Sequence, residues 1–522
     1  MSWKLRIAAV MVLVSLSACA WYWIDSQPRD ITLSNGARIS WVRCWFDVPW
    51  WRSVDCAHVY TRNAPGEVAP ARLAVVVIRD RSWKHHPDPV IYLSGGPGGP
   101  AWIDAAGIDF WFGWLDDAQL GRDLVLYDVR GVGMSEPRLS CPQLLEFYRA
   151  ELGIDREHKD SLERQRAAAL ECKQSLLAAG HRLQDYSTAQ NVHDLQDVMA
   201  TIGYTQWNIY AVSYGTRLAM RAAQADAEGL RSLLLDSVYP PDKNDPALWP
   251  ALANDAFQRL FDGCRSHTGC ARNYPDLESQ FRQALARLDA QPLAVSIEHW
   301  QSGEHFDVVV NQDRLFVALF EAMYSWELIE QLPRAIAEVT QGHGTALQPI
   351  IEAHVNFLLD SDFSDAVFLS VECADSLTIT RERYLAEAAR YPLLYELVRD
   401  DWDFDVCRDW HGASTTNGIA APAPIEPPAL LLSGHFDPVT PPDWAESALP
   451  QFAHAHHFSF AAVGHDVLGS DDCSLRLWGV FLERPDARPN HGCLDEPAPV
   501  QFHVGRQTPI APPEVPTHRV YQ

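Results

Sequence analysis

Basic side chains are scarce in this chain. Against 68 Asp and Glu it sets 42 Lys and Arg, for a formal net charge of −26. So acidic a body is repelled by nucleic-acid phosphates and has little with which to grip anionic lipid, so neither is expected as a partner. Long apolar runs are missing as well. The single candidate, Ile7 to Leu16, is too short to cross a bilayer as a helix. No two cysteines form a C-x-x-C pair, and no histidine sits at ligand spacing from one, which argues against a zinc site. No G-K-[ST] follows a Gly-rich loop, which argues against a phosphate-binding loop. Nothing here calls for a metal or a cofactor. Disorder is excluded from the other side, by a hydrophobic fraction of 47% and 19 Trp.

The apolar run has an exported look. Lys4 and Arg6 precede it, and Leu16-Ser17-Ala18-Cys19 closes it. A basic start, a short apolar stretch and small residues at the end read as a secretory signal. The closing residues resemble the lipobox of bacterial lipoproteins, in which the cysteine is acylated and becomes the first mature residue. Residues 1–18 are therefore expected to be removed and Cys19 to carry a lipid. Removal takes two cations and no acid, so the net charge becomes more negative still. The expected location is a periplasm-facing membrane lipoprotein or a secreted protein, in contact with the membrane only through this anchor.

Cysteine usage agrees with an oxidising compartment. Of eleven cysteines, setting Cys19 aside leaves an even number, lying as near neighbours along the chain. Five local disulfides are expected: Cys44–Cys56, Cys141–Cys172, Cys264–Cys270, Cys373–Cys407 and Cys473–Cys493.

Pattern along the chain points to an α/β fold. Residues 31 to 81 read as short strands and turns, with a β-branched run at Ala74 to Ile78 and a turn at Asn63-Ala-Pro-Gly66. Further strands are expected at Pro89–Leu93, Asp123–Tyr127, Trp207–Val212, Leu233–Leu235, Ala429–Leu432 and Phe458–Val463. Ser187 and Gln190 form a capping-box signature, and Val192, Leu195, Val198, Met199 and Ile202 keep one helical face apolar. Leu218–Ala225 reads as a second helix. Such alternation means a mostly parallel sheet covered on both faces. It stops near Pro240-Pro241 and resumes after the Pro-rich stretch 421–428. The division is thus a core in two parts, 31–242 and 426–495, a helical cap inserted at 243–425, and a Pro-rich tail, 496–522, on the surface.

Chemistry is carried by three places. Ala211-Val-Ser213-Tyr-Gly215 lies after a buried strand and before a helix, and resembles the nucleophile elbow of the α/β hydrolases. The motif needs small flanking residues so that strand and helix can pass closely; here Ala211 stands where Gly is usual. A serine needs a base, and the base an orienting acid. Asp437, in Gly434-His-Phe-Asp-Pro-Val-Thr-Pro441, and His465, in Gly464-His, follow successive strands in the order serine, acid, base. Alone, Asp437 reads as a turn residue and His465 as a loop histidine; the conjunction in order makes Ser213, Asp437 and His465 a candidate triad. Oxyanion donors are expected from the backbone N–H groups of Tyr214 and Gly96.

Ser94-Gly-Gly-Pro-Gly-Gly99, Asp128-Val-Arg-Gly-Val-Gly-Met-Ser135, Val212-Ser-Tyr-Gly-Thr-Arg217 and Gly434–Pro441 together resemble the proline iminopeptidase and tripeptidyl aminopeptidase group of α/β hydrolases. The likeness runs from about 40 to 495; Ser94 stands where the group usually has His. It implies a serine exopeptidase that removes residues from the free N-terminus of short peptides through an acyl-enzyme. It also implies structural roles for Asp128 and Arg130. Such an enzyme must pair the substrate ammonium with a carboxylate, and Glu372 and Asp375, flanking Cys373, are the candidates. A carboxylesterase or lipase with the same triad, or a silent binding lipoprotein, are the alternative readings.

Overall fold

The structure, a computed structural model, describes residues 30–62, 70–156, 158–376, 379–399, 405–411, 423–490, 492–494 and 499–504. The signal, Cys19, the 63–66 turn and most of the tail lie outside them.

Ten strands form one sheet. Its antiparallel end consists of β1 (Asp30–Thr32), β2 (Arg38–Val42), β3 (Val54–Tyr60) and β4 (Arg72–Ile78). β4 pairs antiparallel with β6 (Arg122–Tyr127), and from there the sheet is parallel. β6 lies beside β5 (His86–Leu93), then follow β7 (Trp207–Val212) and β8 (Leu230–Asp236). A second sheet pairs β9 (Leu293–Glu298) with β10 (His305–Val310), and the main sheet ends on β11 (Ala429–Gly434) and β12 (Ala455–Phe460).

The central strands are buried on both faces, so their sequences are continuously apolar rather than alternating. Their side chains still divide by the two-residue period. Val75, Val77, Ile91, Leu93, Ile209 and Ala211 enter one core with the helices Thr188–Ile202 and Tyr214–Ala225. Val76, Val90, Tyr92, Tyr210 and Val212 enter the other, under Ile108–Ala118 and Asp472–Glu483. Ser187 caps its helix by accepting from Gln190 N at 3.2 Å, but the Gln190 amide turns to Asp194, so the cap is single rather than reciprocal.

Between β8 and β11 the chain builds a third core, around Phe257, Phe281, Phe316, Leu319, Ile336 and Ile351. This stretch is not all helical. Val295 and Ile297 of β9 and Val308 and Val310 of β10 point inward from a hairpin, in the alternation of a half-buried ribbon. Neither is the tail only superficial. Val500 and Phe502 are buried in this third core, and His503 N donates to Glu330 O. β12 ends at Phe460, short of the expected Val463, and residues 461–466 are free to turn toward the site. All five expected disulfides are present. Among the described residues, no helix is long and apolar enough to cross a membrane.

Where β11 ends, Gly434 lies with its Cα against the carbonyls of Val463 and Gly464, and a Cβ there has no room. Gly434→Ala is expected to cost about 1–3 kcal/mol of stability by overpacking, read as a lowered midpoint of urea unfolding.

Candidate active site

Ser213 occupies the turn from β7 into the helix Tyr214–Ala225, at φ 56° and ψ −122°. A non-glycine residue there is strained by about 1–3 kcal/mol and persists only when its surroundings hold it. Ser213 N donates to Asp236 O at 3.0 Å. The serine carbonyl accepts from Thr216 N at 2.9 Å and Thr216 Oγ1 at 2.6 Å. Gly215 presses against the carbonyls of Leu93 and Ser94, where any side chain would collide. The helix is thereby seated directly on the end of β5, where the Gly-rich loop begins. Ala211 is wholly buried and accommodated.

Asp437 and His465 meet. His465 Nδ1 lies 2.9 Å from Asp437 Oδ2, and both side chains are fully buried. Asp437 also accepts from Val439 N, Thr440 N and Thr440 Oγ1, at 3.0, 2.8 and 2.6 Å. Burial works to raise the Asp437 pKa, but the His465 charge, its hydrogen bond and the Thr440 donors outweigh it and hold the carboxyl below its usual value. For His465, burial pulls the pKa down, and Asp437, joined by Asp466 and Asp236, pulls it further up, so the net displacement is upward. Tyr324, from the third core, covers the imidazole. Its ring centroid is 4.7 Å away, and its carbonyl accepts from His465 N at 3.0 Å. His465 Nε2 is buried and has no hydrogen-bond partner. No hydrogen bond joins it to Ser213.

What ties the nucleophile turn to the histidine loop is Asp236, at the end of β8. Its carbonyl accepts from Ser213 N, and its carboxylate accepts from Val467 N and Leu468 N at 2.9 and 2.7 Å. Ser237 Oγ accepts from Asp466 N at 2.9 Å. Burial, with Asp466 alongside, pushes the Asp236 pKa up to about 8. Asp466 itself caps the short helix after His465, accepting from Gly469 N, and does not orient the imidazole. His435 stacks edge-on against Phe436, away from the pair.

The Gly-rich loop is held by Asp128, which accepts from Ala101 N at 2.6 Å and Met134 N at 2.7 Å. Arg130 makes a buried two-pronged pair with Asp194, at 2.6 and 2.7 Å. Gly96 stands in this loop at φ 108°, with Phe363 beside it. Over the loop runs the helix Asp365–Asp375. Ser364, at its start, donates through N to Gly98 O and through Oγ to Leu139 O. Its far end carries Glu372 and Asp375.

These two acids lie together, partly buried, with the fully buried Arg217. Arg217 follows Ser213 by one helical turn, about 6 Å along the axis. Its guanidinium stacks on Tyr239, 3.6 Å from the centroid, and its Nη1 is 3.6 Å from Glu372 Oε1. None of its nitrogens has a hydrogen-bond partner within range, and neither has Glu372 Oε1. Burial raises both carboxyl pKa values, against the pull of Arg217 and, for Asp375, of Thr188 and Arg221. Thr188 in turn bonds the Tyr214 hydroxyl at 2.8 Å. Sequence reasoning did not single out Thr440, Asp236, Arg217 or Tyr324. Thr440 was within the quoted Asp437 motif and Arg217 within the serine motif, but Asp236 and Tyr324 carry no local signal.

A parallel sheet with a strained serine at a strand–helix turn, and a buried Asp–His pair on later strand ends, defines an α/β hydrolase. A sequence profile of the family described as alpha/beta hydrolase fold matches residues 88–472, and the chain belongs to that family. It is 26% identical over 67% of its length to YuaR of Escherichia coli (strain K12), a hydrolase by name, spanning 68% of that protein. It is 27% identical over 42% of its length to the tripeptidyl aminopeptidase of Streptomyces coelicolor, spanning 42% of it. It is 24% identical over 61% of its length to the serine protease Hip1 of Mycobacterium tuberculosis, spanning 64% of it. Proline iminopeptidase of Mycobacterium smegmatis covers 80% of the chain, and the chain 96% of it, at 16% identity and a TM-score of 0.36.

Asp236→Leu removes the acceptor of two buried N–H groups, each costing about 1–3 kcal/mol when left unsatisfied. Lower stability in urea is expected together with a loss of turnover in the fraction that remains folded.

Proposed function

We propose that this hydrolase is an exported serine aminopeptidase acting on short peptides. One observation carries the reading: the partly buried acids Glu372 and Asp375 lie with Arg217, which follows Ser213 by one helical turn, and Glu372 Oε1 accepts no hydrogen bond. A substrate ammonium supplies that donor, and a second positive charge where Arg217 alone faces two carboxylates. Names of the relatives, an aminopeptidase and a serine protease among them, support the same class.

In this reading Ser213 Oγ attacks the peptide carbonyl carbon while His465 Nε2, the free nitrogen of the imidazole, takes its proton. Asp437 stabilises the imidazolium at Nδ1. Backbone N–H groups of Tyr214 and Gly96 donate to the oxyanion. Collapse of the tetrahedral adduct breaks the C–N bond, and His465 returns the proton to the leaving amine. Water, deprotonated by His465, then releases the acyl group from Ser213 and restores the hydroxyl. The helix Asp365–Asp375 is the ruler, because it joins the Gly-rich loop to the acids. The span between acids and serine sets how many residues leave. The division into a core in two parts with an inserted cap belongs to this proposal: β8 and β11 pair with each other, most of the described chain between them forms the third core and reaches the site through Tyr324, and the ruler helix packs Ala366, Val367 and Val371 into the first core. Five disulfides fit an oxidising compartment, with Cys19 as the expected lipid anchor.

The test is a panel of Pro, Ala and tripeptide amides with free and blocked amino ends, together with simple esters. The expected result is turnover of free-amine amides only, none by Ser213→Ala, and a raised KM with Glu372→Gln. Turnover confined to esters makes the chain an esterase; a Ser213→Ala variant as active as the parent removes the serine mechanism.

The pH profile follows from His465. The base must be neutral, and its pKa is raised, so activity falls as pH drops through a midpoint above the ordinary 6.5. A kcat/KM profile with its acid limb below 6.5 contradicts this.

A further inference from the structure

Three tryptophans are exposed where the fold gives them nothing to do. Trp50 is 87%, Trp51 58% and Trp83 90% exposed. They lie on two adjoining loops. Trp50 and Trp51, ring to ring at 5.6 Å, precede β3, and Trp83 follows β4. The loops are joined at their roots, where Val54 pairs with Ile78 and Arg79 N donates to Ser53 O at 2.8 Å. Val48, on the first loop, is exposed too. Free indoles cost solubility, and side chains with an apolar body and a polar N–H are those that settle at a membrane–water interface.

The position of the chain's start points to the same occupant. β1 runs antiparallel to β2, with Asp30 opposite Ser40. Asp30, the first described residue, therefore stands at the end of the sheet where β2 runs out at Val42 into the tryptophan loop. Cys19 precedes Asp30 by eleven residues, a reach of at most about 40 Å. An anchor on that tether is attached through the pole that carries the three indoles, and its reach lets that pole lie on the bilayer. Charge is permissive as well. In a body of net −26 this pole displays Arg43, Arg81 and Lys84, exposed and without ion pairs among the described residues, beside Asp47, Asp80 and Asp117, while Asp116 is paired with Arg52 at 2.6 Å.

We infer that Trp50, Trp51 and Trp83 seat this pole in the interfacial layer of a lipid bilayer and fix the orientation of the anchored enzyme. The lipid provides attachment, and the indoles provide direction. The consequence for the site follows from the sheet. β4 is antiparallel to β6, with Ile78 opposite Leu124 and Val75 opposite Tyr127. The tryptophan pole is thus at the amino-terminal ends of the parallel strands, and Ser213 is at the carboxy-terminal end of β7, a strand length of about 20 Å away. The active site of the seated enzyme opens away from the membrane, toward water-soluble substrates.

The test uses the full chain bound to vesicles of phosphatidylethanolamine and phosphatidylglycerol. An environment-sensitive fluorophore is placed at Ser82→Cys, beside Trp83, or at Gln341→Cys, in the third core's surface. The expected result is a blue shift and quenching by nitroxide lipid at position 82 and neither at 341. Combining the first label with Trp50→Ser, Trp51→Ser and Trp83→Ser should abolish both effects while vesicle flotation and hydrolysis of soluble substrate persist. Retained hydrolysis shows that the triple variant is folded. The inference is overturned by a chain that does not float with vesicles, by no shift at 82 in one that does, by a shift that survives the triple substitution, or by equal quenching at 341. It stands or falls separately from the peptidase reading, because none of these readouts depends on which acyl bond is cut.

Discussion

The left-handed backbone of Ser213 is the constraint on which the rest of the site depends. A serine with φ of 56° stays there only because Asp236 O, Thr216 and the crowded approach of Gly215 to β5 leave it no alternative. Every one of those holds comes from a neighbouring strand or the first turn of the following helix. The parallel sheet is therefore more than a scaffold. Its strand ends set Ser213, the Gly-rich loop and, through β11 and β12, Asp437 and His465.

Electrostatics follow from burial. Asp437 and His465 are both removed from water, so each depends on the other for its charge, and Asp437 on Thr440 as well. Asp236 and Asp466 make the opposite case, two carboxyl groups in one buried place, of which the first is pushed up to about 8. Asp236 serves through its acceptors, which fasten Val467 and Leu468 beneath the histidine. Arg217, buried against the partly exposed Glu372 and Asp375, belongs to a third charged group, the least satisfied of the three. Unmade hydrogen bonds in such a place are costly, and a ligand that makes them gains in affinity.

The block between β8 and β11 shapes the site from above. Tyr324 lies on His465, and Ser364 bonds the loop that carries Gly96. These contacts join residues far apart in the chain, so the block belongs to the site as much as the sheet does. The tail contributes too, with Phe502 packed beside Phe436, the residue before Asp437.

Much of this was legible in the chain itself. Continuous apolar runs marked the buried strands, because a strand covered on both faces cannot afford polar alternation. Ser213, Asp437 and His465 were singled out by their order and by the strands before them, and of these the structure pairs Asp437 with His465; the five cysteine pairs were found by their nearness. The β9–β10 hairpin was legible in principle, in the alternation of Val295 with Ile297 and of Val308 with Val310, but is short and lies among helices. Other features had no local signature. Asp236 is one acid after a strand until its carboxylate meets Val467 and Leu468, and Arg217 is an ordinary helix residue until Tyr239 and Glu372 close over it. Sequence by itself determined which side chains could do chemistry and which strands would carry them, since both depend on residue type and short-range period. Only tertiary structure decided which groups lost their water and which partners they found, because burial and charge pairing arise between separate segments, from 28 residues apart for Asp437 and His465 to 231 for Asp236 and Val467.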